Sequence, residues 1–156
     1  MGDLQTDELQ FDGVTIMADL TQTPANIAIG ANVQVQIVTA GEAITQGMPI
    51  YQNELTSKYY QADSDAESTA AANAIALTPA AADGDLFVRA YTQGENGNID
   101  LGATLTIGET YVVSTNTGKI APISDLTTGD YVTYLGVASA TDNLLLNINA
   151  TGVAKP

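Results

Sequence analysis

Two carboxylate pairs, Asp63/Asp65 and Asp83/Asp85, combine the residue type and the close spacing from which an oxygen-ligand site for Ca²⁺ could be built. Neither pair sits in the repeating acidic loop of an EF-hand, and both fall in Ala-, Ser- and Gly-containing turns. In such turns an Asp carboxylate commonly accepts hydrogen bonds from its own local backbone. Turn chemistry is the expectation for both pairs, and ion binding is the alternative.

Other routes to catalysis are poorly supplied. The chain of 156 residues has no His and no Cys, so the commonest general base and the thiolate nucleophile are absent. A zinc site would have to use carboxylates alone. Lys58 and Lys119 follow short Thr-containing turns, "TSK" and "TGK", without the glycine spacing of a phosphate-cradling loop. A glycosidase pair would need a sugar cleft, and the chain is 6 % aromatic with no Trp. "NAT" at 149–151 matches a glycosylation acceptor and, with no secretory leader evident, reads as the end of a strand. These residues predict no enzyme, no cofactor and no metal.

Charge limits the partners. Lys and Arg number 4 against 18 Asp and Glu, for a formal charge of -14. That balance repels phosphate backbones and anionic lipid, so neither nucleic acid nor membrane is an expected partner. "MGDLQT" places Thr6 as a myristoylation signal does, but no basic patch assists it. Apolar residues make up 45 %, enough for a folded core in a soluble domain.

The elements that must position these residues are mostly strands. "NVQVQIVTA" (32–40) alternates Val33, Val35 and Ile37 against Gln34, Gln36 and Val38, as a half-buried strand does. "DLFVRAYTQ" (85–93), "TYVVSTN" (110–116), "DYVTYLGVA" (130–138) and "NLLLNINATG" (143–152) follow, separated by Gly, Asn and Asp clusters such as Asn96-Gly97. Short strands with frequent turns predict a small barrel or sandwich. One stretch differs: "SDAESTAAANA" (64–74) has Ser64 and Glu67 at capping-box spacing before an Ala run. It predicts a helix of two to three turns ending near Asn73, with an Ala-rich loop as the alternative.

Residues 1–32 differ in composition from the remaining 33–156. Leu4, Leu9, Phe11, Val14 and Ile16 stand isolated among Gln, Thr and Asp, and Gly13 and Pro24 interrupt any long element. The segment reads either as a first strand plus a loop or as an arm lying along a partner. Seven Tyr, at 51, 59, 60, 91, 111, 131 and 134, supply most of the aromatic surface. Core-edge packing accounts for most of them. Tyr59-Tyr60 is the pair expected at an interface, because alternation along a strand sends one of the two outward.

The chain also repeats itself. At an offset of 61, Gly41/Gly102, Thr45/Thr106, Gly47/Gly108, Thr56/Thr117 and Lys58/Lys119 are identical, and Ile44/Leu105 and Ile50/Tyr111 keep apolar character. One further residue of shift aligns "AIAL" (74–77) with "GVAS" (136–139). The repeat predicts two similar half-units of one β-domain, since a solenoid needs three or more. General likeness among turn-rich β-chains is the alternative.

In order, "AGEAITQGMPIYQ" (40–52), the Lys-Tyr turn, the Ala-rich stretch, "NAIALTPAAADGDLFVRA" (73–90) and the run 101–148 resemble the capsid cement, or head decoration, proteins of tailed bacteriophages. The resemblance covers about residues 40–150, and departs where Asn73-Ala74 stands in place of a Gly before the Ile-Ala pair. It implies a small β-barrel or β-tulip domain that forms a homotrimer on the outer surface of the mature capsid. The trimers would sit at three-fold and quasi-three-fold positions, bridging the major capsid protein and stabilising the shell. Carried onto this chain, it assigns capsid contact to Leu4, Leu9, Phe11, Val14 and Ile16, and trimer contact to Tyr59 and Tyr60. The alternative class is a subunit of a head fibre or tail appendage that binds a host receptor.

Overall fold

The structure, a computed structural model, describes residues 19–29, 35–90 and 97–156. It is mainly β, as the strand periodicity predicts. The strands are β1 (Ile27–Ile29), β2 (Val35–Thr39), β3 (Pro49–Gln52), β4 (Tyr59–Gln61), β5 (Ala74–Ala76), β6 (Asp85–Ala90), β7 (Asn98–Leu101), β8 (Thr110–Val113), β9 (Ile120–Pro122), β10 (Tyr131–Ala138) and β11 (Asn143–Ala154). One short helix, α1 (Glu67–Ala70), interrupts them. The strands form two sheets, one curled into a half-barrel.

The strand orders reveal what the sequence repeat means. The five-stranded sheet runs β2-β6-β5-β3-β4, and the six-stranded sheet runs β1-β7-β11-β10-β8-β9. With β1 set aside, the two orders correspond strand for strand. Registers agree as well: Tyr51 faces Tyr60 as Val112 faces Ala121, and Pro49 faces Ile75 as Thr110 faces Val137. Residues 35–90 and 98–154 are thus two copies of one five-stranded unit.

The repeated glycines have a common task. Gly47 and Gly108 turn the chain with φ of 88° and 86°, a region costly for any residue with a Cβ. Each then donates its N–H to the matching strand, Gly47 to Ala76 O at 2.8 Å and Gly108 to Ala138 O at 2.9 Å. Just before them, Ile44 donates to Ala80 O and Leu105 to Thr141 O.

Each unit holds its own core. Ile50, Ala74, Ala76, Leu86 and Val88 form the amino-terminal cluster with Ala40, Ile44 and Tyr59. Ile99, Leu101, Leu105, Tyr111, Val113 and Ile120 lead the carboxy-terminal cluster, with Leu135, Ala138, Leu144 and Leu146. Three residues of the first unit and its linker, Ala62, Ala72 and Ile75, complete that second core, so the units stack as one body.

The helix is shorter than its Ala run predicts, and no capping box forms. Helix α1 is one turn, its N-cap is Ala66 and no side chain caps it. Ser64 is pinned on both sides: its N–H donates to Ser114 O at 2.9 Å and its carbonyl accepts from Tyr131 N–H at 2.8 Å. Its hydroxyl is buried and makes no hydrogen bond among the described residues. Asp63 takes over, accepting from the Asp65 N–H at 3.1 Å and from the Thr69 hydroxyl at 2.8 Å.

Strand β2 also departs from its alternation. Val35 and Ile37 are exposed, and Val38 is the residue packed against the amino-terminal core. β2 is the edge of its sheet, and Val35 and Ile37 stand open to solvent. Gly108→Ala should cost about 1 kcal/mol in urea unfolding, because the added Cβ meets nothing and only the backbone is strained. Gly47→Ala should cost roughly 1 kcal/mol more, since its Cβ would come within 2.6 Å of the Gln22 amide nitrogen and displace it. Equal costs would show that Gln22 adds nothing.

Candidate functional site

Of the carboxylates singled out by spacing, Asp63 and Asp83 are engaged by neighbouring groups. Asp63 also accepts from the Thr117 hydroxyl at 3.2 Å, tying the linker to the second unit. Asp83, with φ of 66°, meets Lys58 Nζ at 2.5 Å. This exposed pair raises the Lys58 pKa through the hydrogen bond and the charge of Asp83. Asp130 accepts from the Thr127 N–H and hydroxyl. Among the described residues, no three acidic side chains are grouped so as to hold a metal ion.

The amino-terminal segment enters the body earlier than its composition predicts. Leu4, Leu9, Phe11, Val14 and Ile16 lie outside the described residues. From Asp19 onward the chain is fastened down. The Asp19 carboxylate accepts from Ser114 Oγ at 2.5 Å and Asn116 Nδ2 at 2.8 Å, and the Leu20 N–H donates to Ile120 O at 2.8 Å. The Gln22 amide nitrogen donates to Gly47 O and to Leu101 O, both at 3.0 Å, so one side chain bridges the two units. Thr23 N–H then reaches Gly102 O, and β1 pairs with β7. Within 1–32, residues 27–29 are thus a first strand, and 19–26 are packed on the domain.

The two tyrosines separate as alternation requires. Tyr59 turns into the amino-terminal core and is 9 % exposed. Tyr60 is half-buried on the opposite face, with its ring 6.0 Å from that of Tyr51. It lies over Gly41 so closely that a Cβ there would fall 2.2 Å from the ring. Burial pushes the Tyr51 hydroxyl pKa up, helped by the charges of Glu42 and Asp63. Tyr60 is therefore the one of the pair with surface to offer.

Larger apolar surface lies elsewhere. Val35, Ile37 and Phe87 are exposed around the β2 edge, where Ile37 faces Phe87. Val137 and Leu145, a cross-strand pair on β10 and β11, are 43 % and 39 % exposed. The triple Leu144-Leu145-Leu146 carries the signal for this face, since a strand cannot send three consecutive side chains to one side. Leu144 and Leu146 are fully buried and Leu145 points out. Two hollows meet at Tyr134: one of 280 Å³ lined by Val137 and Leu145, and one of 440 Å³ lined by Val132, Thr151 and Val153.

No family model, curated protein or solved structure matches the chain.

Near the chain's point of entry, Asp125 is partly desolvated and faces Asp19 and Asp130, which together raise its pKa. A carboxyl whose pKa is raised by folding weakens the native state above that pKa and ceases to do so as pH falls through it. Asp125→Asn should therefore raise Tm at neutral pH by about 1 °C, a small effect because the group is solvent-screened. The gain should vanish in acid. A gain that persists at pH 3 would assign the effect to something other than charge.

Proposed function

We propose that this chain is a structural virion protein, a capsid cement protein that binds the outside of a mature phage head as trimers and stabilises the shell. The observation that carries the reading is the duplicated unit. The segments whose order resembles the cement proteins are the same ones that build two stacked copies of one sheet, stapled at Gln22 and filled at Ile75. Such a body supports binding at many points over a lattice, where geometry and repetition contribute more than any single contact. A closed trimer suits a three-fold site because it presents three identical patches. One carboxylate of each spaced pair is engaged within the domain, Asp63 by Thr69 and Thr117 and Asp83 by Lys58, which is consistent with a binding role.

The test is co-sedimentation of the full chain with expanded, undecorated heads of its own phage. Saturation near one copy per capsid subunit is expected, with density clustered in threes. Binding of a few copies or none would overturn the reading and favour a receptor-binding appendage. Removal of residues 1–18, short of the fastened stretch that begins at Asp19, should leave unfolding unchanged and abolish shell binding. Undiminished binding would take the capsid contact away from Leu4, Leu9, Phe11, Val14 and Ile16.

A further inference from the structure

The two copies of the unit differ in what covers one face, and that difference identifies a surface. In the amino-terminal unit, Ile75 pairs with Arg89 across β5 and β6. In the carboxy-terminal unit the same place in the ladder is held by Val137 and Leu145 across β10 and β11. Both Ile75 and Arg89 are 0 % exposed, and Ile75 packs into the core of the neighbouring unit. Val137 and Leu145 stand open at 43 % and 39 %. A face that packs against another unit in one copy is thus presented to solvent in the other, where Val137 and Leu145 make it apolar.

We infer that the outer face of β10 and β11, centred on Tyr134, Val137 and Leu145, is the surface by which this chain packs against a second copy of itself. The internal stacking provides the precedent for the kind of partner: what covers the face in the first unit is a unit of the same construction. Charge provides the second argument. Among the described residues, no Asp or Glu lines either hollow beside this face, and Lys155 lines one of them. Two copies each of charge -14 repel, so close approach is favoured through a face poor in acidic side chains. Around Tyr134 that face offers Val132, Thr151 and Val153 on one side and Thr110, Asn147 and Asn149 on the other. The amides and hydroxyls suit a polar rim, and the Val, Leu and Tyr side chains suit its centre.

This surface deepens the cement reading by locating a self-contact within it, yet its test needs no shell. Sedimentation equilibrium of the full chain at micromolar concentration should find an oligomer. Val137→Asp and Leu145→Asp should each weaken self-association by about 100-fold or more, because each buries an unpaired charge at the contact. Unfolding midpoints should stay near the parent value, since both positions are open in the single chain. Val153→Asp, at a position 61 % exposed, provides a second reading should either variant unfold. Ile107→Asp, on a turn and 63 % exposed, should leave the oligomer intact. A parent chain that stays monomeric at about 100 µM would overturn the inference, as would Asp variants that associate like the parent. An oligomer that ignores heads sinks the capsid function alone, and a monomer that decorates heads sinks this face alone.

Discussion

The insertion of Ile75 into the neighbouring core is the contact on which the arrangement of the molecule depends. Its strand neighbours Ala74 and Ala76 point the other way, into the amino-terminal core. Alternation along β5 makes this obligatory, because adjacent residues of a strand occupy opposite faces. A three-residue strand buried on both sides must be apolar throughout, and "AIA" is. The small Ala side chains let the first unit close tightly, while Ile75 reaches across to the second. Truncation of a fully buried Ile typically costs on the order of 2–5 kcal/mol, a large share of a small domain's stability.

Hydrogen bonds reinforce that stacking where the linker passes between the units. Ser64, Tyr131 and Ser114 exchange backbone bonds, and Gly118 N–H donates to Ala62 O at 2.8 Å. Gln22 then spans Gly47 and Leu101 from outside. These groups are amides and hydroxyls, not ion pairs, which agrees with a chain that has few cations to pair. The acidic side chains are left to the turns, where Asp63 and Asp130 organise local backbone.

The duplication also explains why equivalent positions differ in chemistry. Tyr111 occupies the place of Ile50, and its hydroxyl accepts from the Thr106 N–H at 3.0 Å. In the first unit the corresponding Thr45 N–H turns to the Met48 sulfur at 3.4 Å. The same turn is thus satisfied by two different acceptors. Divergence was tolerated at the partner, while the glycine that shapes the turn stayed, because φ near +90° leaves few alternatives.

The strand periodicity, the turn glycines and the offset of 61 were legible in the sequence because each depends on neighbours along the chain or on a repeated local pattern. β-class, a short helix after Asp63 and two similar units follow from them. What the chain's order alone left undecided depends on layers. Ser64 could cap Glu67 until the second unit pinned its backbone; the alternation of β2 left open which side faces inward until Ile37 proved exposed; Tyr59 and Tyr60 were equivalent until Ile50 and Gly41 gave them different faces. Period two states that successive side chains diverge, but not which face another sheet will cover. That choice belongs to the stacking of the two units, which buries Ile75 and leaves Val137 open at the same place in the ladder.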